Sequence, residues 1–209
     1  MCNLYRMTKP ASEVAAWFDA VEAAQGANFA AEVYPSYTGL VVAEGALRAM
    51  TWGFPLVLKG AKGQPLKPKP VNNARTDKLE TFFWRHAFTE RRCLIPLTAW
   101  AEAQGPKGRM TRTWLSLLDA GLFAAAGVWR PSDEWGDCYA MVITDSDGTD
   151  AAAVHERMPL LLAPADHARW TGGTPEDALG LCPGWAEPLA IDRTDQPWAK
   201  GAAHQPGLL

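Results

Sequence analysis

The strongest constraint on the fold is a succession of short apolar segments in the second half of the chain, each bounded by turn residues. Segments of this length and composition are typical of β-strands. The predicted strands are 92–97, 113–118, 121–129 and 138–144. Strands mostly follow strands, with helices set between groups of them. The sequence therefore predicts an α+β chain whose largely antiparallel sheet curls into a barrel flanked by helices.

The first half begins with a predicted helix. Thr8 is its expected N-cap and Gly26 lies beyond its end, because apolar side chains recur between them at three- and four-residue spacing. Two strands, 40–42 and 47–52, are predicted to flank a turn at Glu44-Gly45.

A Gly-, Pro- and Lys-rich stretch, 59–70, is predicted to be an exposed loop, because its prolines exclude regular strand pairing. Asp77 and Glu80 form a capping-box pattern, which predicts a helix start. Further helices are predicted at 149–156, at 164–170 and from 174.

Length and composition are those of one soluble globular domain spanning 1–209. No apolar run approaches a membrane span, and the N-terminus does not resemble a signal sequence, so we expect a cytoplasmic location. The four cysteines are scattered, without C-x-x-C pairs or histidines at zinc spacing, so neither a disulfide framework nor a metal site is expected. No oligomerisation signature is present, and we expect a monomer.

The charge of the chain is unevenly distributed. The formal net charge is −3, yet the window 59–92, which includes Lys69, holds nine basic and three acidic residues. This window is therefore net +6 and the remainder net −9. A basic strip on an acidic body suits a phosphate backbone contacted along one face, although a solvated surface would carry the same pattern.

Met1-Cys2 offers chemistry that an internal cysteine lacks. If Met1 is removed, Cys2 carries a free α-amine and a thiol on adjacent carbons. The amine condenses with an aldehyde to an imine, and the thiol closes on the imine carbon to give a thiazolidine; this closure is intramolecular. Taken alone, Cys after Met is equally explained by chance.

Two downstream motifs could serve such a nucleophile. Asn73-Ala74-Arg75 combines an amide and a cation just before the predicted helix start, where anions are favoured. Glu102 follows the apolar segment 94–97 among aromatic residues, where a carboxyl with a raised pKa could move protons. A turn asparagine, a surface arginine and a solvated glutamate are the structural alternatives.

His155 and Arg157 lie where a loop meets an apolar segment, a position suited to a proton donor and an anion clamp. A purely structural histidine is an equal alternative. Pro159 and the absence of a second histidine one turn later exclude a zincin helix. Since the chain also lacks a G-x-S-x-G elbow, a P-loop and a dinucleotide fingerprint, no cofactor site is expected.

Taken together, these motifs resemble the SOS response-associated peptidase family, whose members sense abasic sites in single-stranded DNA through an N-terminal cysteine. The resemblance extends along most of the chain. The matching stretches, in order, are Met1-Cys2, Thr51-Trp52-Gly53-Phe54, Asn73-Ala74-Arg75, Arg91-Arg92-Cys93-Leu94-Ile95-Pro96 and His155-Glu156-Arg157-Met158-Pro159.

The resemblance implies a single α+β domain with a barrel-like sheet and a basic channel for single-stranded DNA. Cys2, exposed by autocatalytic loss of Met1, would attack the C1′ aldehyde of the ring-opened abasic sugar and end as a thiazolidine crosslink. The imine route would also permit strand cleavage as a lyase. Such a protein belongs to the DNA damage response and would lie on the nucleoid when bound to DNA.

The resemblance also implies a role for each matching residue. Asn73 would hold the N-terminal amine or the sugar. Glu102 would move protons during ring opening and imine formation, and His155 would act as acid and base on the sugar hydroxyl and the imine. Arg75 and Arg157 would bind phosphates beside the lesion.

Two departures from the family pattern affect DNA binding. Leu4 replaces a phosphate-binding arginine, with Arg6 as the candidate substitute. Ala103 replaces a tryptophan that would stack on a base, with Trp52 or Trp100 as candidate substitutes. Two alternatives therefore stay open: an N-terminal-nucleophile hydrolase acting on a peptide or other amide, and a non-catalytic binder of single-stranded DNA.

Overall fold

The computed structural model describes residues 2–198. Strands account for most of its regular structure. They are β1 Tyr5–Arg6, β2 Val21–Glu22, β3 Glu32–Val33, β4 Thr38–Ala43, β5 Ala46–Trp52, β6 Phe54–Leu56, β7 Lys69–Val71, β8 Asn73–Arg75, β9 Arg92–Leu97, β10 Ala99–Gln104, β11 Thr111–Leu117, β12 Phe123–Arg130, β13 Cys138–Asp145, β14 Arg157–Pro159, β15 Leu161–Leu162 and β16 Leu189–Pro197. The α-helices are α1 Ala11–Trp17, α2 Arg85–Glu90, α3 His167–Gly172 and α4 Pro175–Leu179, and the 3-10 helices are Thr76–Lys78, Asp150–Ala153 and Pro164–Asp166.

The strands form a curled, ring-like arrangement. The main sheet runs β14-β13-β12-β9-β4-β5-β2, and β13 also pairs with β5, so the path from β13 through β12, β9, β4 and β5 closes on itself. A second sheet, β16-β11-β10-β1-β3, carries the N-terminal strand at an inner position. This single-domain α+β fold confirms the sequence prediction. None of the helices between residues 2 and 198 is long and apolar enough to span a membrane.

The four predicted strands in the second half are confirmed as β9, β11, β12 and β13. Every residue of β9 and all but the last of β13 are buried, because both faces of these strands are covered. Their nearly continuous apolar sequences are the expected consequence. Cys93 and Cys138 are buried within them.

The predicted helix from Thr8 is shorter than expected. It begins after Pro10 and ends at Trp17, because Asp19 adopts a positive φ of 50° and turns the chain. Val21, which was predicted on the apolar face of the helix, instead lies in β2 beside Ala46.

The predicted capping box at Asp77 is wrong. The Asp77 carboxylate accepts hydrogen bonds from the guanidinium of Arg75, at 2.8 and 2.7 Å, and Asp77 lies within a 3-10 helix, Thr76–Lys78. The next α-helix begins only at Arg85. In contrast, the helix start at Thr174 is confirmed, since Thr174 and Asp177 form a reciprocal capping box.

Two further segments form strand pairs that the sequence did not predict. Lys69–Val71 at the end of the predicted loop pairs with Phe54–Leu56, and Pro55 lies opposite Pro70. Proline is tolerated there because a two-stranded ribbon leaves an outer edge unpaired on each strand. The tail contributes β16, which pairs along β11 at the edge of its sheet.

A tyrosine pair lies at the centre of the core. The hydroxyls of Tyr5 and Tyr139 are 2.5 Å apart and fully buried. Trp52 packs edge-to-face on Tyr5 and stacks on Tyr139. Gly39 faces both hydroxyls, so that a side chain at this position would overlap them.

We therefore predict that Gly39→Ala lowers the free energy of unfolding by about 1–3 kcal/mol, the usual cost of overpacking a core. Urea unfolding followed by tryptophan fluorescence measures the change. Gly172→Ala is the matched control, because its added methyl group meets no atom within 4 Å and its φ is not positive. An equal stability of the two variants would contradict this account of the tyrosine pair.

Candidate functional site

The N-terminal segment is held along strand β10. β1 pairs antiparallel with β10, with Tyr5 opposite Trp100. The pairing continues towards the N-terminus, since the Ala101 N–H donates to the Leu4 carbonyl at 2.9 Å. Cys2 therefore lies inside the fold, with 1% of its surface exposed.

Two asparagine side chains bind the Cys2 carbonyl oxygen. The Nδ2 of Asn73 donates to it at 2.8 Å and the Nδ2 of Asn72 at 3.0 Å. Asn73 is placed there by β8, which runs parallel to β13 with Asn73 beside Met141. Asn73 thus contacts the carbonyl oxygen of Cys2, whereas the resemblance implied a contact with the N-terminal amine or the sugar.

Glu102 lies within β10, opposite Thr113 of β11, and is not the solvated glutamate of the structural alternative. It is 3% exposed, and this burial raises the pKa of its carboxyl to about 7. Burial, reinforced by the charge of Glu102, also raises the pKa of the Cys2 thiol. Near neutral pH, Glu102 can therefore both accept and release a proton, while the thiol keeps its own.

His155 follows the 3-10 helix Asp150–Ala153, which is tied to the end of β10 by a hydrogen bond from Gln104 Nε2 to the Ala153 carbonyl, 3.3 Å long. The Arg157 N–H donates to His155 Nδ1 at 3.0 Å. A neutral ring accepting at Nδ1 carries its proton on Nε2. Burial lowers the pKa of His155, which favours this neutral form near pH 7.

Arg75 and Arg157 lie on strands that both pair with β13, at Ile143 and Asp145 respectively. Arg75 binds Asp77, and Arg157 lies 3.3 Å from Asp145. The pKa of Asp77 is lowered mainly by its hydrogen bonds to Arg75, with a smaller contribution from Arg157. Two arginines and two partly exposed carboxylates thus form one surface cluster.

Arg6 is engaged elsewhere. Its guanidinium donates to Glu32 at 3.0 Å and lies over the Trp114 ring at 3.6 Å from the centroid. Directly paired residues of antiparallel strands point to the same face, and the faces alternate along each strand. Since Tyr5 pairs with Trp100, Arg6 lies on the face opposite to Glu102. Leu4 lies on the same face as Arg6 and packs with Trp114, so an arginine at position 4 would also point away from Glu102. Arg6 itself is paired with Glu32.

The two remaining expected DNA contacts, Lys69 and Trp52, have different environments. Lys69 is exposed on β7. Trp52 is fully buried, so no face of its ring is open to a base; its indole N–H donates to the Asn72 carbonyl at 3.0 Å. Trp100 is buried in the same way. The expected stacking role of these tryptophans is therefore replaced by a role in the core.

Asn72 is the site residue that the sequence reasoning missed. Its only sequence signal is that it directly precedes Asn73, which places two amides in succession beside a strand. Within residues 2–198, His, Cys, Asp and Glu side chains do not cluster in threes that could hold a metal ion.

The raised pKa of Glu102 predicts a pH-dependent stability. Because the folded-state pKa of about 7 exceeds that of an unfolded chain, the stabilising contribution is present below about pH 4 and is lost as pH rises to 7, by about 3 kcal/mol. Urea unfolding across this window should show the loss in the native protein and a flatter profile in Glu102→Gln. Identical pH dependence in both proteins would contradict the assigned burial.

Comparisons with known proteins identify the family and support the fold. The family model described as SOS response associated peptidase matches residues 1–190. A crystal structure of a protein from Bordetella bronchiseptica is similar, with a TM-score of 0.75 and 22% identity over 92% of this chain and 99% of that one. A protein from Bacteroides thetaiotaomicron has a TM-score of 0.71 and 16% identity, covering 92% and 91% of the two chains.

A phage-related protein from Bordetella bronchiseptica has a TM-score of 0.68 and 18% identity, covering 93% of this chain and 95% of that one. At these identities the structural similarities bear on the fold alone. No curated protein matches the sequence. The family match covers most of the chain, so the protein belongs to the SOS response associated peptidase family.

Proposed function

We propose that this protein, once Met1 is removed, forms a covalent crosslink through Cys2 to abasic sites in single-stranded DNA. One observation supports this proposal most strongly. Cys2 is held by Asn73 in a buried site beside the carboxyl of Glu102, whose pKa is about 7. An amine, a thiol and a proton carrier active near neutral pH are the groups that thiazolidine formation requires.

The proposed reaction proceeds in two bond-forming steps. The α-amine of Cys2 attacks the C1′ aldehyde of the ring-opened sugar, and loss of water leaves an imine. The thiol sulfur then bonds to the imine carbon, and the thiol proton goes to the nitrogen. A thiol that keeps its proton until this step supplies it directly, while Glu102 removes protons from the attacking amine and returns one to the departing water.

His155 is assigned to the sugar side of the reaction. As a neutral ring carrying its proton on Nε2, it can donate to the C4′ oxygen when the sugar opens and accept that proton on reversal. The peptidase-like activity of the family is assigned to removal of Met1 from this chain. The imine also allows elimination of the 3′ phosphate, which would appear as strand cleavage.

We assign the DNA path to the surface of the basic strip 59–92. Its exposed cations include Lys69 and Arg75, and Arg157 joins them from β14. Arg92 does not belong to this surface, because it is buried and donates to main-chain carbonyls including that of Phe88. DNA phosphates would replace the carboxylates that now pair with Arg75 and Arg157.

An N-terminal-nucleophile hydrolase acting on an amide is the second candidate. It would use the same groups, with the Cys2 thiol as nucleophile and the Glu102 carboxyl, whose pKa is about 7, as the proton carrier. The first proposal accounts in addition for the basic strip.

The crosslink is tested with single-stranded DNA that carries one abasic site. We expect a heat-stable band of reduced mobility on a denaturing gel and loss of Met1 in the intact protein mass. Cys2→Ala should abolish the band, because neither ring closure nor the stable product is possible without the sulfur. Cys182→Ala, which removes a partly exposed thiol elsewhere, should leave it unchanged.

Undamaged DNA of the same sequence serves as the substrate control. Absence of the band with protein that lacks Met1 would refute the proposal and favour the hydrolase. A band that persists in Cys2→Ala would show that another nucleophile reacts.

The DNA path is tested by the salt dependence of binding to undamaged single-stranded DNA. Arg157→Gln should weaken binding and reduce the slope of log affinity against log salt by about 0.7, the value for one lost phosphate contact. Arg193→Gln is the control, because Arg193 is exposed on the edge strand β16 of the other sheet. Equal slopes for the two variants would show that Arg157 does not contact a DNA phosphate.

A further inference from the structure

Asn72 contacts the reactive residue directly, as Asn73 does, although only Asn73 belongs to the matched motif. One Nδ2 proton of Asn72 is directed to the Cys2 carbonyl at 3.0 Å, and the other to the Asn3 side-chain oxygen at 3.1 Å. Both protons of the amide are therefore used within the N-terminal segment.

The main chain of Asn72 is itself fixed from two sides. Its carbonyl oxygen accepts from the indole N–H of Trp52 at 3.0 Å and from the Met141 N–H at 2.9 Å. Trp52 belongs to β5 and Met141 to β13, two strands of the closed ring. A side chain anchored in this way can hold its partner in one orientation.

We propose that Asn72 is a positioning residue that, together with Asn73, clamps the Cys2 carbonyl so that the α-amine and thiol of Cys2 meet an aldehyde in one fixed orientation. The inference rests on the proposed function for its aldehyde chemistry. Two hydrogen bonds fix the plane of the carbonyl and the position of the α-carbon that carries both the amine and the side chain. The thiol is directed separately, to the Leu4 carbonyl at 3.7 Å. Ring closure then starts from a pre-oriented pair.

The clamp also acts on the amine electronically. A carbonyl that accepts two N–H donors withdraws more electron density from the adjacent α-carbon, which favours the neutral, nucleophilic form of the amine. This second effect makes the clamp distinguishable from simple structural support, because it moves the pH dependence of the reaction and not only its rate.

Asn3 supports the clamp through its side chain. Here the Asn3 oxygen takes the second proton of the Asn72 amide, which would otherwise lack an acceptor. Asn3 thus supports the orientation of Asn72, while the hydrogen bond to the Cys2 carbonyl is made by Asn72 itself.

The test uses full-length chains in which cleavage of a removable tag leaves Cys2 as the first residue, so that natural Met1 removal is not required. Thiazolidine formation is followed by intact mass with glyoxylate, a small aldehyde, between about pH 5 and about pH 9, a range that spans the amine titration. Single-turnover crosslinking to abasic DNA is measured in parallel. The variants are Asn72→Leu, Asn3→Ala and, as a remote control, Gln64→Leu in the exposed loop.

We expect Asn72→Leu to slow maximal crosslinking about tenfold, the loss of one hydrogen bond in the site. The half-saturating DNA concentration should stay within about twofold, since no DNA contact is removed. The acid limb of the glyoxylate pH profile should move to higher pH. Asn3→Ala should react within about threefold of the native rate, because the Asn72 amide still reaches Cys2, and Gln64→Leu should be unchanged.

A native rate in Asn72→Leu, or a loss that is uniform across pH and accompanied by a lowered melting temperature, would overturn the clamp. A shifted glyoxylate profile without any DNA crosslink in the native protein would support the clamp and refute the proposed function. The two failures are thus distinguishable.

Discussion

The site depends on the hydrogen bonds that hold the N-terminal segment between β10 and β8. The Ala101 N–H fixes Leu4 on one side, and two asparagine amides fix the Cys2 carbonyl on the other. Without these bonds an N-terminal residue would be free to move, because chain ends order only where they are tied down. The curling of the sheet brings β8 and β10 to the two sides of the N-terminal segment that contains Cys2.

Burial of the site determines the pKa values of its titratable groups. The same lack of water raises the pKa of Glu102 into the neutral range, keeps the Cys2 thiol protonated and lowers the pKa of His155. One physical cause thus acts on all three groups, in the direction that favours each uncharged form. The sequence motifs identify these residues, but the shifts of their pKa values arise only in the folded chain.

The sequence predicted the parts whose signal is local. β9 and β13 were identifiable because continuous apolar runs of strand length lie buried on both faces. β10 and β16 were missed, because the first contains Glu102 and the second is largely polar; both are strands through pairing with distant segments. Such contacts leave no periodic pattern. For the same reason the contacts of the Asn72 side chain and the position of Arg6 on the face opposite to Glu102 became evident only in the folded chain.

The central claim is that Cys2, and no other residue, becomes joined to an abasic sugar. The most direct measurement is peptide mapping by mass spectrometry of the protein after reaction with abasic single-stranded DNA and nuclease digestion. The account predicts a sugar-phosphate remnant on an N-terminal peptide that begins with Cys2, in a form resistant to borohydride because no imine persists. A remnant on a lysine of the basic strip, or none at all, would contradict it.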